Sequence, residues 1–443
     1  MESTSAPVDG NKYLSSLAAY RGGRLSGRVR QVVGLVMEVS GIRSFIGEIC
    51  QIKTTSGSMI SAEVVGFRDQ YSLLMPLGHL KGISPGCPVF PTGSAFTVRV
   101  GEKLLGKVLD GMGRLLDSGE PPLLPGEGEE YLVDNNPPNP LSRKPIDQVL
   151  VTGIKAIDGL LTIGQGQRIG IFSGSGVGKS SLLGMIARRS EADVNVIALI
   201  GERGREIGDF LRNNLGPEGL KRSVVVASTS DRSPLERIRG GLVAVTIAEY
   251  FRDQGANVVF VMDSVTRFCM AQREIGLAVG EPPTARGYTP SVFALLPRFL
   301  ERTGTSPRGS ITGFYTVLVD GDDFTEPITD AVRGILDGHI ILDRNIAARN
   351  HYPAIDILRS TSRLMPALAD PEHMERAAEV KTLLATYQQV EDLINIGAYK
   401  PGTRPEIDRA IEKREEILDF LRQGLEQSFR WEETMDQLAG LVQ

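Results

Sequence analysis

The chain has 443 residues, 41% apolar and 23% charged, with a formal charge of −5. That length suits two or three domains with ample core, and the acidic balance excludes a global attraction to nucleic acid, leaving only a local patch. Cys50, Cys87 and Cys269 are far apart with no C-x-x-C pair, which points to reduced, buried thiols in a cytosolic protein and away from structural zinc.

In chain order, residues 1–26 form a candidate docking segment. Its start is polar and lacks the apolar stretch of a signal peptide. Leu14, Leu17, Ala18 and Leu25 are interleaved with Arg21, Arg24, Arg28 and Arg30, a weakly amphipathic basic pattern that reads either as a solvated tail or as a surface for a partner or lipid. No run approaches the roughly 18 apolar residues that a membrane span needs, so membrane contact is expected to be peripheral. Residues 27–100 carry five or six short Val-, Ile- and Phe-rich runs punctuated by glycine and proline, which predicts a small closed β-barrel. Small barrels sometimes bind oligonucleotides, but no aromatic stacking series is present, and structural use is the better reading. Residues 101–150 hold seven prolines, among them Pro121, Pro137 and Pro145, and read as an extended connector without long helices.

From 151 to 369 strands and helices alternate. Strands are expected at 169–172, 194–200, 224–227, 258–262, 312–319 and 340–342, with a helix over 233–253 whose start, Ser233, Pro234 and Glu236, has the form of a capping box. Buried apolar strands alternating with helices predict an α/β fold, a mostly parallel sheet with helices on both faces, and a ligand at the C-terminal strand ends. Residues 370–443 read as a C-terminal helical domain, with Ile407, Ala410, Ile411, Ile417, Leu418, Leu421 and Leu425 on one face.

The chemistry centres on residues 168–184. A short apolar strand leads into Gly174, Ser175, Gly176, Val177 and Gly178, then Lys179, Ser180 and Ser181 open a helical pattern. This is the setting of a phosphate-binding loop. Glycines let backbone N–H groups curl round a phosphate, the lysine supplies a point charge, and the serine hydroxyl suits Mg²⁺. The strict pattern G-x-x-x-x-G-K-[ST] expects glycine where this chain has Ser173. Asp263, closing an apolar strand, fits a metal-clamping carboxylate or, alternatively, a helix N-cap. Glu202 suits a carboxylate that polarises the attacking water, with Glu206 as its competitor. Arg203, Arg205 and Arg267 are candidate phosphate contacts. Arg363 is the best composition-only candidate for a transition-state arginine.

These motifs, with Gly201 to Arg203 and the run from Pro353 to Ser362, resemble the α/β family of rotary ATP synthase subunits. The glycine loop, 282–293 and 390–399 are most similar to its type III secretion branch. The resemblance implies Lys179 on the phosphates, Ser180 and Asp263 on Mg²⁺, Glu202 rather than Glu206 as the water-activating residue, Arg203 and Arg267 beside the phosphates, Tyr352 stacked on adenine, and Arg363 as a finger reaching the neighbouring subunit's ATP. A homohexameric ring follows, with barrels as a crown and C-terminal helices facing a central stalk. The expected activity is ATP hydrolysis energising export of flagellar proteins, in the cytoplasm at the inner face of the membrane. Regulator and stalk proteins and chaperone-bound export substrates are the implied partners, and no specific nucleic acid. The nearest rival is the injectisome counterpart; a rotary ATP synthase subunit, an RNA translocase and a non-enzymatic nucleotide-binding subunit follow.

Overall fold

The computed structural model describes residues 26–78, 80–124, 126–319, 321 and 323–442; the expected docking segment therefore lies, but for Ser26, outside the described residues. The chain divides into two compact units, Met1–Phe96 and Thr97–Gln443.

In the first unit, six strands close into an antiparallel barrel: β1 (Gly27–Val33), β2 (Val36–Ser40), β3 (Glu48–Lys53), β4 (Met59–Arg68), β5 (Tyr71–Pro76) and β6 (Pro88–Ala95), in the order β1-β2-β5-β4-β3-β6. Alternation along these strands sends Val29, Met37, Val39, Cys50, Ile52, Val64 and Val89 into one interior. Closure leaves no free strand edge.

The second unit begins with β7 (Thr97–Val100), which pairs with β9 (Glu129–Leu132) and not with the barrel. Residues 96–100, assigned by their Val content to the barrel, thus belong elsewhere. Within the proline-rich stretch, β8 (Val108–Asp110) joins the edge of the main sheet beside β12. Three residues carry too short a pattern to reveal a strand.

The main sheet contains β10 (Arg168–Ser173), β11 (Val194–Ile200), β12 (Ser223–Ser228), β13 (Asn257–Asp263), β14 (Gly304–Thr305), β15 (Ser310–Leu318), β16 (Gly338–Leu342) and β17 (Ile355–Ser362), ordered β17-β16-β10-β15-β13-β11-β12-β8 with β14 on β15. All pairings are parallel except β17 on β16 and β14 on β15. The antiparallel strand β17 was not anticipated, because its Ser360–Ser362 end is polar and it lies at an edge.

The helices are α1 (Lys155–Leu160), α2 (Lys179–Arg189), α3 (Gly204–Asp209), α4 (Gly216–Lys221), α5 (Pro234–Asp253), α6 (Val265–Val279), α7 (Pro290–Leu300), α8 (Pro327–Ile335), α9 (Arg344–Ala348), α10 (Met365–Leu368), α11 (Pro371–Asn395), α12 (Pro405–Leu421) and α13 (Trp431–Leu441). Ile197, Leu199, Val259 and Val261 pack with Leu182, Leu183 and Ile186 of α2. The intervening Val196, Phe260 and Met262 are equally buried, and Met262 reaches Gly241 of α5 on the other face. Strands covered on both sides read as continuous apolar runs, which is why these were legible. The capping box of α5 forms: the Ser233 hydroxyl accepts from the Glu236 N–H, and the Glu236 carboxylate accepts from the Ser233 N–H.

Helices α11 to α13 form the C-terminal layer. Leu425, expected on the α12 face, lies beyond that helix and is exposed. The segment joining α12 to α13 is clasped to the nucleotide-fold layer. The buried Gln423 side chain donates to the Gly153 carbonyl (2.8 Å) and accepts from the Lys155 N–H (3.0 Å), while its own N–H donates to the Tyr352 carbonyl (2.9 Å). Arg188, at the end of α2, donates to the Glu426 carboxylate (2.9 Å) and the Leu425 carbonyl (3.0 Å).

A buried pair ties α5 to the end of α7. The Arg302 guanidinium donates to the Glu249 carboxylate (2.7 and 2.8 Å), the Thr246 hydroxyl and the Val133 carbonyl, with both charged side chains 1% exposed. Four of its five N–H donors are used in a dry site, so removing one partner strands a charge. Arg302→Met should lower stability by about 3–5 kcal/mol in denaturant melts, and Arg302→Met/Glu249→Leu should recover most of it.

Candidate nucleotide-binding site

Parallel register brings the ends of β10, β13 and β11 to one edge of the sheet. The loop after β10 therefore faces Asp263 at the end of β13 and Glu202 just beyond β11. Gly176 (φ +79°) and Gly178 (φ +88°) hold left-handed conformations that a side chain disfavours. Val177 is buried and anchors the loop in the core. Lys179 opens α2, followed by Ser180 and Ser181, and all three line a cavity of about 580 Å³ together with Gly174, Ser175, Glu202, Arg203, Asp263 and Arg267. Ser173, where the strict pattern has glycine, ends β10 and is buried.

Lys179 Nζ lies 2.5 Å from Asp263 Oδ1 and 3.8 Å from Glu202 Oε1, and Arg267 Nε lies 3.3 Å from the same glutamate oxygen. The Thr316 hydroxyl donates to Asp263 Oδ1 at 2.7 Å. The N-cap of α6 is Ser264, whose side chain accepts from the Arg267 N–H; Asp263 is thereby free of the capping task that was its alternative. Glu202 is buried, and burial, reinforced by the neighbouring Asp263 charge, pushes its carboxyl up to about 7 against the opposing pull of Lys179 and Arg267. Its Oε1 makes no aligned hydrogen bond and is held by the ion pairs to Lys179 and Arg267 alone. Gly201 (φ +73°) lets Arg267 approach: an added Cβ would meet the Arg267 side chain at 2.9 Å.

The other candidates are placed as follows. Arg203 is exposed and faces Glu206 at 3.7 Å; Arg205 faces Asp209 at 2.7 Å. Tyr352 lies against the loop, 3.3 Å from where a Cβ of Gly178 would be, and is 38% exposed. Arg363 is not brought to this site. It follows β17, and its N–H donates to the Asp337 carbonyl at the opposite edge of the sheet, level with Arg168 at the start of β10. The six residues of β10 separate it from the glycine loop by roughly 20 Å at ~3.3 Å per residue.

Three neighbours escaped the sequence reading. Phe210 and Asn214 line the cavity from a π-helical turn, Phe210–Leu215, and Arg344 lies on Gly174. A π-turn has no simple periodic signature, although such turns recur at functional sites. Gly184 permits its approach, since a Cβ there would fall 2.7 Å from Asn214. Gly184→Ala should therefore cost about 1–3 kcal/mol and weaken nucleotide binding, both measurable by thermal melts with and without ATP.

Fold and site together define a P-loop nucleotide-hydrolysing protein with a separate barrel and a helical C-terminal layer. Residues 29–93, 153–362 and 369–440 match, respectively, the ATP synthase alpha/beta family beta-barrel domain, that family's nucleotide-binding domain, and the T3SS EscN ATPase C-terminal domain. The chain is 54% identical to the flagellum-specific ATP synthase of Bacillus subtilis (strain 168), over 94% of this chain and 95% of that one. It is 47% identical to the type 3 secretion system ATPase of Xanthomonas euvesicatoria, over 96% of each. The assembled ATPase EscN of the enteropathogenic E. coli type III secretion system superposes with a TM-score of 0.89 at 46% identity, over 94% of this chain and 100% of that one. The chain belongs to the ATP synthase alpha/beta family and, within it, to the branch of flagellum-specific ATP synthases and type 3 secretion ATPases. It is an ATP hydrolase.

Proposed function

We infer that the chain hydrolyses ATP at a seam between two copies of itself, in a homohexameric ring that energises type III protein export for flagellar assembly. The single observation that carries this reading is the separation of Lys179 and Arg363 on opposite edges of one sheet. Such an arginine cannot serve its own loop, but it can serve a neighbour's. EscN, similar over nearly the whole chain, has been solved assembled and in complex with its central stalk EscO. That supports a ring and a stalk partner here.

Within each seam, Lys179 exchanges Asp263 for the β/γ-phosphates, and the N–H groups of the glycine loop and of the start of α2 cradle them. Glu202 accepts a hydrogen bond from the attacking water and orients it. Arg267 and Arg203 face the phosphate chain, and Tyr352 offers its ring to the base. Arg363 of the neighbouring copy stabilises charge on the transferring phosphoryl group, typically worth about 10³–10⁵ in rate. Ser180 and Asp263 would hold Mg²⁺: one hydroxyl and one carboxylate suit an ion that completes its shell with phosphate oxygens and water. No group of three or more acidic, His or Cys ligands occurs among the described residues, as such shared coordination allows. Bound there, the ion would neutralise β/γ-oxygen charge.

The flagellar assignment draws support from flagellum-specific relatives at 54% and 52% identity, above a type III secretion ATPase at 51% over 79% of this chain and another at 47% over 96% of it, although further flagellum-specific relatives range from 45% to 49%. Chaperone-bound export subunits as cargo, regulator proteins, and cytoplasmic action against the inner face of the membrane complete the proposal. No helix among the described residues is long and apolar enough to cross a membrane.

Mixing Lys179→Ala with Arg363→Ala subunits, each inactive alone, should restore part of the ATPase activity, since some seams regain one intact loop and one intact arginine. No recovery across mixing ratios, with ring assembly verified by light scattering, would contradict shared sites. Glu202→Gln should retain nucleotide binding and lose turnover by at least about 10²-fold. Deletion should abolish flagellar filaments; loss of effector secretion with swimming intact would assign the injectisome instead.

A further inference from the structure

Strand β16 delivers the chain to the same sheet edge as the glycine loop, and α9 begins there with Arg344. The Asp343 side chain caps α9, accepting from the Asn345 and Ile346 N–H groups at 2.7 and 3.2 Å, which fixes where Arg344 leaves the backbone. Its guanidinium then lies on Gly174. A Cβ built on Gly174 would fall 2.5 Å from Nε, 2.5 Å from Nη2 and 2.8 Å from Cζ of Arg344. Gly174, unlike Gly176 and Gly178, has no left-handed φ. Backbone conformation therefore does not call for glycine at 174, and what a side chain there would displace is the guanidinium end of Arg344.

The nearby arginines have acidic neighbours: Arg267 at 3.3 Å from Glu202, Arg203 at 3.7 Å from Glu206, and Arg359 at 3.6 Å from Asp343. Arg344 is exposed and has no carboxylate or carbonyl partner among the described residues. A permanently charged, planar donor set thus turns its Nε/Nη2 edge toward the first residue of a loop built to hold phosphate. A guanidinium is the side chain best shaped to meet phosphate oxygens in pairs.

We propose that Arg344 is a phosphate-binding residue of the nucleotide site: seated on Gly174, it donates N–H groups to phosphate oxygens of the bound nucleotide. Glycine at 174 is what makes the seat. The proposal rests on the reading of the loop as the ATP site and adds a cation to it that no motif supplies.

The test is calorimetric titration of the full-length protein with Mg²⁺ and the β,γ-imido analogue of ATP, and separately with ADP. Arg344→Ala should weaken the analogue roughly 3- to 30-fold, as expected between an exposed and a desolvated charged contact, and Arg344→Lys should recover part of it. The melting temperature without nucleotide should stay unchanged, while the rise on adding nucleotide shrinks. Gly174→Ala should weaken binding by pushing the guanidinium aside, and Gly174→Ala/Arg344→Ala should bind no worse than Arg344→Ala. Affinity equal to wild type for both ligands in Arg344→Ala would overturn the contact. A double-variant loss equal to the product of the single losses would overturn the seat. Failure of the wild-type protein to bind either ligand would instead sink the reading of the loop itself.

Discussion

The site depends on a cluster of opposed charges held at one sheet edge: Lys179 between Asp263 and Glu202, with Arg267 on the far side of Glu202. Two carboxylates this close and this buried repel each other, and burial raises Glu202 further. The lysine relieves that repulsion while no phosphate is present. In the proposed function, a triphosphate that took the lysine would leave the carboxylates without their counter-charge, and a divalent cation held by Ser180 and Asp263 would replace it. Metal, nucleotide and lysine position would then be interdependent, because none of the three could change without altering the charge balance seen by the others.

That cluster exists because of strand order. Strands β10 and β13 flank β15, and β11 lies next to β13, so three residues spread over 85 positions of chain meet at one edge. The same arrangement sends the end of the antiparallel β17 to the other edge, taking Arg363 with it. One sheet therefore presents a cradle on one side and a cation on the other, which is a geometry for repeated head-to-tail contact between copies.

Much of this was legible in the residues. The central strands are apolar throughout because both faces are covered, and the glycine loop carries its chemistry in consecutive positions. Ser233 with Glu236 announced the start of α5, and it begins there. What escaped notice was either short or tertiary. Val108–Asp110 is too brief to show a period, and β17 is half polar at a sheet edge. The residues at 96–100 look like barrel strand but find their partner in β9. No spacing rule links Gly174 to Arg344 across some 170 positions, and only the packing of β16 beside β10 brings them together. The capping role of Ser264, which leaves Asp263 unencumbered, is likewise a matter of one residue's difference that sequence left open.

Helix α2 starts at Lys179 and ends with Arg188 and Arg189 on Glu426. Eleven residues make a rod of roughly 16 Å at ~1.5 Å per residue. One tip carries Lys179, paired with Asp263, and the other grips the joint between α12 and α13. The backbone of Tyr352 is fastened to the same joint through Gln423. Any tilt of that rod as the cradle fills is therefore levered into the C-terminal helices at a point about three turns away, without needing a flexible linker to relay it.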